Sequence, residues 1–425
     1  MFPDLSTQPI ARVNGGARPA DIGRSIGAWP EAPEVKPAAV AGGGLLLTGV
    51  ALAAANMRPA VTSLAALLGE VRHSVGTSTT WASVVTSLPT VCFGVVGIAA
   101  PILARRWGND RVVGGALAVL TAALLLRVLG GPWTILMGTL LACATLAFCN
   151  VLIPVVVKES FPHRVGMATG LYTTAMAAGG SAGSSLTPWL MSSTGSWRFA
   201  LATWSVVAFA ALCVWVPATL RRPATAPLPV AAGAEPRRSL ARSPLAWVIT
   251  VYFALQALIA YVVMGWLPEV FKGAGMDGAE AGLVLGVLLL IGVPINMALP
   301  PLVTRSRSQS WWALVLAVLG AAGILGLLLA PLSVPLLWAL LLGIGMSSFP
   351  LALVLISLRT SNAAETGRLS AMAQGCGYLI ASVGPFLFGV LHDVTGGWST
   401  SLIGVLVVIL AQGVVGFVAG RPRKV

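Results

Sequence analysis

The stretch AAANMRPAVTSLAALL, Ala53 to Leu68, places an arginine and a proline inside a run that is otherwise apolar enough to cross a membrane. A helix needs about 20 mostly apolar residues to span the hydrocarbon layer. A charge at the centre of such a helix costs about 3 kcal/mol on insertion scales, so Arg58 should face the interior of a helix bundle and have a partner there. Because Pro59 has no N–H and collides with the preceding turn, we expect the helix to open between Asn56 and Pro59.

Apolar runs of this kind recur along the whole chain. Of its 425 residues, 57% are hydrophobic and 9% are charged, a composition that excludes an ordinary soluble domain. Sliding along the sequence predicts twelve spans, at residues 44–68, 80–104, 112–130, 133–157, 165–190, 199–217, 246–266, 280–303, 311–330, 335–357, 366–391 and 399–419.

A connection rich in proline and arginine, residues 218–245, divides these spans into six and six. The predicted fold is therefore an all-α polytopic membrane protein of two six-helix bundles, residues 43–217 and 246–420. A flexible cytoplasmic tail, residues 1–42, precedes them, and a short cytoplasmic tail, residues 421–425, follows.

The lysines and arginines predict the orientation of the spans. With a cytoplasmic N-terminus, 21 of the 26 basic residues fall on the cytoplasmic side and three on the other, which places both termini inside a plasma or inner membrane. The net charge of +13 is scattered between apolar runs, so it indicates topology and not a nucleic-acid partner. The expected partners are the lipid bilayer and a small-molecule substrate, and the chain is expected to be monomeric, without a cofactor. The five cysteines lie in apolar runs without metal-ligand spacing, so neither disulfides nor a metal site are expected.

The two halves also repeat weakly. APILARRW, Ala100 to Trp107, ends the second span, and PPLVTRSR, Pro300 to Arg307, ends the eighth, so a proline and an arginine four residues later recur about 200 positions apart. Two homologous halves are typical of transporters whose substrate site lies between them near the midplane. Two small-residue patterns in the fifth span, Gly166 with Gly170 and Gly179 with Gly183, are expected to pack between the halves.

Several motifs resemble the major facilitator superfamily, and within it the cyanate and 2-nitroimidazole transporter family. They are NMRPAVTS (56–63), PILARRWG (101–108), LLLRVL (124–129), NVLIPVVVKESFP (150–162), GLYTTAM (170–176), LTPWL (186–190), ALQALIAYVVMGWLPE (254–269) and LSAMAQGCGYLIASVGP (369–385). The resemblance runs from about residue 44 to 420. It implies alternating-access transport of a small anionic or polar organic solute, similar to cyanate or a nitroimidazole.

Two positions depart from the superfamily pattern. Arg105 stands where the loop motif after the second span usually has an acid, so gating at the cytoplasmic loops is expected to use Arg105, Arg106 and Arg305 instead. The proline-containing glycine motif of drug antiporters is not met in Ala177 to Ser185, so drug/proton exchange is not supported.

Arg58 is the leading candidate for substrate binding. All thirteen acids lie in tails, loops or span ends, so the natural counter-charge is a carboxylate, cyanate or nitro group of the substrate. The alternative is a structural arginine satisfied by backbone carbonyls of the broken helix. Arg127 is the second candidate, although it lies near a span end and could snorkel to the surface.

Polar side chains inside other spans complete the predicted site. An amide or phenol facing lipid is unfavourable, so these side chains should point inward, with hydrogen bonding between helices as the alternative role. Gln256 and Gln374 rank highest because they lie at mid-span. The full set is Asn56, Asn150, Tyr172, Gln256, Tyr261, Asn296, Gln374 and Tyr378.

A secondary active or facilitative transporter is therefore the predicted function. The spans hold no Asp, Glu or His for a buried proton relay, so uniport, exchange or potential-driven movement is the simpler mechanism. Proton coupling would need the substrate itself, or span-edge residues such as Glu70 or Glu269. An exporter of amphipathic drugs is an alternative. A polytopic membrane enzyme is less favoured, because no nucleophile, base or metal set lies at membrane depth.

Overall fold

The protein is described by a computed structural model over residues 43–161, 164–220, 240–361 and 363–425. The predicted N-terminal tail, residues 1–42, and most of the predicted central connection lie outside these ranges. Within them the regular structure is helical and contains no β-strand. The chain from Gly44 to Val425 forms one compact unit.

The first half contains eight helical segments. The first span consists of two short helices separated by three residues, followed by a short third helix that continues to the end of the span. The segments are α1 (Gly43–Ala55), α2 (Pro59–Ala66), α3 (Leu68–Val75), α4 (Thr79–Trp107), α5 (Asn109–Leu126), α6 (Pro132–Ser160), α7 (Val165–Thr194) and α8 (Trp197–Leu220).

The second half begins with a short 3₁₀ turn, Leu240–Arg242, and contains eight further helices. They are α9 (Pro244–Gly273), α10 (Gly278–Arg305), α11 (Ser310–Leu329), α12 (Pro335–Gly345), α13 (Ser348–Leu358), α14 (Ala363–Ala381), α15 (Val383–Thr395) and α16 (Trp398–Ala419). The tenth and eleventh spans are each divided in two, by Met346 and Ser347 and by Ser382.

These helices match the twelve predicted spans, with ends shifted by a few residues. Within the described ranges, eleven segments are long and apolar enough to cross a membrane. The predicted span that is missing from these eleven is the fifth, α7. It is a continuous helix of 30 residues, but its apolar sequence contains the small and polar stretch AAGGSAGSS. The opening of the first helix is confirmed, since α1 ends at Ala55 and α2 begins at Pro59. The sequence also predicts kinks at Pro154, Pro268, Pro294 and Pro385. Pro385 lies in the first turn of α15, just after the break at Ser382, whereas the other three prolines lie inside continuous helices.

Several helix pairs join the halves. α7 packs along α10, α4 packs along α14 and α15, and α2 contacts α9. At the first pair, α10 contributes the close approach: a Cβ at Gly282 would collide with the carbonyl oxygen of Ser184, and one at Gly286 with the hydroxyl of Ser185. Glycine therefore lets α10 lie directly against the serines of α7.

Candidate substrate site

The break in the first helix is held from two directions. The amide nitrogen of Asn56 donates to the carbonyl of Leu52 (2.8 Å) and to that of Val207 in α8 (3.2 Å). The hydroxyl of Thr62, one turn into α2, donates to the carbonyl of Gly180 in α7 (2.9 Å). Asn56 thus links the break to α8 by hydrogen bonds, which is the interhelical role considered as the alternative for the polar span residues.

Gly179 and Gly183 of α7 pack against this break, and not against the second half as predicted. A Cβ at Gly179 would collide with the carbonyl oxygen of Ala55, and one at Gly183 would collide with the hydroxyl of Thr62. The prediction was wrong about the partner of these two glycines, whereas a Cβ at Gly170 would lie 3.8 Å from Cε of Met297 in α10, in the second half as predicted.

The stem of Arg58 lies against the same glycine face. A Cβ at Gly180 would lie 3.0 Å from the Cβ of Arg58, so a larger residue there would make the arginine side chain shift by a few tenths of an ångström. Three tyrosines lie within electrostatic range of the Arg58 guanidinium: Tyr172 of α7, Tyr261 of α9 and Tyr378 of α14. Among the described residues, its guanidinium has no hydrogen-bond acceptor and no carboxylate partner. The site therefore presents a cation and three phenols from both halves of the molecule.

Phe93 of α4 completes an aromatic wall with these tyrosines. Its ring centroid lies 5.3 Å from that of Tyr378 and 6.1 Å from that of Tyr261, and the two tyrosine rings are 6.2 Å apart. Sequence reasoning missed Phe93, because a phenylalanine inside an apolar span carries no polar signal. Its position at the site follows from the packing of α4 against α9 and α14, which the sequence alone does not show.

Tyr172 reaches a second predicted residue. Its hydroxyl donates to the side-chain carbonyl of Asn150 in α6 at 3.5 Å, a long hydrogen bond. Asn150 is thereby linked to the cluster around Arg58 through Tyr172. The structure brings five of the predicted side chains into one connected group: Arg58, Asn150, Tyr172, Tyr261 and Tyr378.

Arg127 does not snorkel, because its side chain is completely buried. Nη1 donates to the carbonyl oxygen of Ala60 (2.8 Å) and Nη2 to the hydroxyl of Ser63 (3.2 Å), both in α2. Nε has no partner in the described part of the chain. The arginine that is satisfied by a carbonyl of the broken helix is thus Arg127, whereas Arg58 keeps its donors free.

The two glutamines have different surroundings. Gln256 is buried and lines a small internal cavity of the second half together with Gln412 and Ser348, away from the aromatic wall. Gln374 is partly buried and donates to the hydroxyl of Ser370 (2.8 Å). Since Gln374 precedes Tyr378 by four residues, both lie on the same face of α14. Only Gln374 is therefore adjacent to the cluster around Arg58.

The predicted gating arginines lie at helix ends. Arg105 and Arg106 are in the last turn of α4, Arg305 ends α10, and all three are exposed. No group of His, Cys, Asp or Glu suited to hold a metal occurs in the residues that the structure describes.

Two broken-helix bundles that meet around a partly buried cation and a group of phenols define a polytopic membrane transporter. The sequence matches the family model of the Major Facilitator Superfamily over residues 44–385, and the chain belongs to this superfamily. Alternating access is general to its members, and the family is one of transporters, in agreement with the predicted function class.

Two relatives from Escherichia coli (strain K12) cover most of the chain. The 2-nitroimidazole transporter is 33% identical over 382 residues, 90% of this chain and 96% of the relative. The cyanate transport protein CynX is 30% identical over 349 residues, 81% of this chain and 88% of the relative. The fold is similar to the crystal structure of a bacterial homologue of the human lysosomal transporter Spinster in an inward-facing and occupied conformation. That comparison gives a TM-score of 0.71 at 13% identity and covers 89% of this chain and 97% of the other. The chain is thus a multi-pass membrane protein, and its bacterial relatives imply the plasma membrane.

Proposed function

We propose that this protein carries a small anionic or nitro-bearing organic solute across the membrane, with Arg58 as the counter-charge of the substrate. The observation that carries the proposal is the guanidinium of Arg58, which has no acceptor among the described residues although it lies deep in the helix bundle. A cation at that depth is stabilised by an opposite charge or by strong acceptors. A bound anion supplies both.

The geometry of a guanidinium favours planar substrates. Its planar fork of N–H donors matches the paired oxygens of a carboxylate or nitro group, and the linear cyanate ion can accept from one donor. The aromatic wall of Phe93, Tyr261 and Tyr378 offers faces and edges against which a flat ring can pack. The names of the two Escherichia coli relatives, one for a nitroimidazole and one for cyanate, support this substrate class.

A second cation, the completely buried Arg127, adds to the attraction for an anion. Arg127 is held within the same region by Ala60 and Ser63, and no carboxylate of the described residues neutralises it. Two uncompensated positive charges near one helix break favour an anion over a cation as substrate. We also propose, from the distribution of lysines and arginines, that both termini lie in the cytoplasm.

A thermal-shift comparison tests the proposal. Purified protein in detergent is heated with cyanate, 2-nitroimidazole or benzoate, as wild type, Arg58→Ala and Arg58→Lys. Arg198→Ala is the matched control, because Arg198 lies over the ring of Trp197 at a helix start and outside the site. We expect ligand stabilisation in the wild type and the control, a reduced shift in Arg58→Lys, and none in Arg58→Ala. Equal stabilisation of wild type and Arg58→Ala would remove Arg58 from the site.

A further inference from the structure

A cluster of charged residues joins the two halves at one end of the molecule. The ammonium group of Lys272, at the end of α9, lies 3.0 Å from the Oε2 atom of Glu70 in α3 and 2.6 Å from the Oε1 atom of Glu269. Glu70 belongs to the first half, and Glu269 and Lys272 belong to the second. The Lys272 side chain is therefore shared between one carboxylate on its own helix and one across the interface.

The backbone of the first half takes part in the same cluster. The N–H of Gly69 donates to Oε1 of Glu269 (3.1 Å), and a Cβ at Gly69 would lie only 2.9 Å from Oε2 of Glu269. A side chain at position 69 would thus press on the carboxylate. The absence of one lets the start of α3 lie directly on the end of α9.

A second contact closes the same end. The hydroxyl of Thr80, at the start of α4, donates to Oδ2 of Asp393 near the end of α15 (3.1 Å). Further along this pair, a Cβ at Gly389 would collide with the hydroxyl of Ser83, so α4 and α15 are in direct contact. The charged cluster and the contact between α4 and α15 both bridge the halves at the end of the molecule opposite to Arg105 and Arg305.

The partial exposure of these charged side chains suits a contact that can break when the two halves separate. The side chains of Glu70, Glu269 and Lys272 are 31%, 14% and 16% exposed, so water can replace each partner when the halves separate. Such partly exposed ion pairs lie between surface pairs, which add little net stability, and buried pairs, in which loss of one partner leaves an uncompensated charge. The Arg127 contacts, by comparison, stay within one half and need not break.

We infer that Glu70, Glu269, Lys272 and Gly69 form the gate that closes this end of the substrate pathway. When the gate opens, Glu269 and Lys272 move together on α9. The contacts that break are the one from Lys272 to Glu70 and the one from Gly69 to Glu269. Glu70 and Glu269, the span-edge residues considered above for proton coupling, therefore both lie at the interface between the two halves.

The shared lysine predicts a ranking of variants. Lys272→Gln leaves Glu70 and Glu269 facing each other as like charges, so the gate should open most readily. Glu70→Gln keeps the pair of Lys272 with Glu269 and the Gly69 contact, so its effect should be smaller. The charge swap of Glu70→Lys with Lys272→Glu restores a cation between two carboxylates and should close the gate again.

A cysteine behind the gate reports its opening. Thr86 of α4 is buried against Gly265 of α9, so Thr86→Cys is covered while this end is closed. It is introduced into a chain whose five cysteines are replaced by alanine or serine, and the protein is placed in nanodiscs that expose both faces. The rate of labelling by a charged maleimide is measured without any ligand. The readout does not depend on Arg58, so it fails or succeeds separately from the proposed substrate.

We expect labelling of Thr86→Cys to rise severalfold with Lys272→Gln, less with Glu70→Gln or Gly69→Ala, and to return to the starting rate with the charge swap. Lys158→Gln is the matched control, because Lys158 is an exposed lysine at the other end of the fold. Melting curves select the variants that remain folded, and Glu70→Gln keeps the shape of the side chain. An unchanged rate in folded Lys272→Gln, or in folded Glu70→Gln if the former does not fold, would overturn the gate. So would a charge swap as reactive as Lys272→Gln.

Discussion

Arg127 donates a hydrogen bond of 2.8 Å to the carbonyl oxygen of Ala60, so the residue that ends α5 holds the first turn of α2. A second bond from the same guanidinium reaches Ser63 one turn later. The segment between them follows directly from Arg58. Arg127 therefore fixes the direction in which α2 leaves the break, and with it the position of Arg58.

We predict that Arg127→Lys weakens ligand binding without abolishing it. An ammonium group cannot reproduce both bonds of the fork, and a hydrogen bond to a charged group contributes about 1.5–3 kcal/mol. The melting temperature should fall, and the apparent Kd for the anion should rise. Thermal shift with a ligand titration measures both quantities.

Ser63→Ala is the control for this prediction. It removes only the weaker bond, of 3.2 Å, and should lower the melting temperature less than Arg127→Lys does. If Arg127→Lys lost ligand binding as completely as Arg58→Ala while remaining as stable as the wild type, Arg127 would contact the substrate and not merely position the helix.

Packing at the break gives a second prediction. Gly179→Ala and Gly183→Ala would each place a methyl group against α1 or α2, where the nearest atoms are backbone or are fixed by hydrogen bonds. Overpacking of this kind costs about 1–3 kcal/mol. We expect a lower melting temperature for both variants, and a weaker response to the ligand because Arg58 moves with the break.

Gly115→Ala is the matched control, since Gly115 lies inside α5 with no atom within 4 Å of an added Cβ. Alanine has the higher helix propensity, by about 1 kcal/mol, so this variant should be as stable as the wild type or more stable. Equal melting temperatures for Gly179→Ala and Gly115→Ala would show that α7 does not lie against the break as described.

Much of the fold could be predicted from composition and local chemistry. The spans follow from the length of apolar runs, and the opening of the first helix follows from Pro59, whose effect is local. The break of the eleventh span lies next to Pro385, where a kink is predicted, but the break of the tenth span at Met346 and Ser347 was missed, because both residues are tolerated in ordinary helices. Their effect depends on neighbouring helices, which the sequence does not specify.

The direction of a side chain was harder to predict than its depth. Gln256 and Tyr261 are both polar residues of α9 at similar depth, but about 100° per residue turns them to different sides of the helix. Because α9 is apolar all round, no polar face indicated which side meets the other half. Arg127 shows the same limit, since its partners in α2 are more than 60 residues away along the chain.

A third prediction concerns the aromatic wall. Phe93→Leu removes a ring that lies 5.3 Å from Tyr378, and aromatic pairs contribute about 0.5–1.5 kcal/mol beyond the area they bury. We expect the apparent Kd for benzoate or 2-nitroimidazole to rise by up to about tenfold, while that for cyanate changes little. Competition between a ring-bearing ligand and cyanate measures this ratio.

Phe93→Tyr keeps the ring and should leave the ratio near its wild-type value. A uniform loss of affinity for all three ligands in Phe93→Leu would indicate that the wall supports the helices without contacting the substrate. Loss in Phe93→Tyr equal to that in Phe93→Leu would contradict a role for the ring itself.

We predict that substitutions of the two glutamines have different effects on ligand binding. Gln256→Met removes a buried amide that has no hydrogen-bond partner in the described residues, so stability should be unchanged or higher and ligand binding unaffected. Gln374→Met changes the face of α14 that carries Tyr378 and should weaken binding. Ligand titrations of the two variants at equal protein stability provide the test. Weaker binding in Gln256→Met alone would place the substrate in the second half's own cavity.

The charge of the site predicts how binding depends on pH. The cluster around Arg58 contains no carboxylate or imidazole among the described residues, and an arginine stays protonated throughout the physiological range. The affinity for a carboxylate ligand should therefore be constant from about pH 6 to 8 and fall only as the ligand itself becomes protonated, near pH 4 for benzoate. Cyanate, whose conjugate acid differs in acidity from benzoic acid, should lose affinity at a different pH. Titrations of both ligands on the same protein show whether the loss of affinity follows protonation of the ligand or protonation of a group of the protein. A common inflection near neutral pH for both ligands would show that a protein group controls binding, and the gate glutamates Glu70 and Glu269 would be the first residues to neutralise.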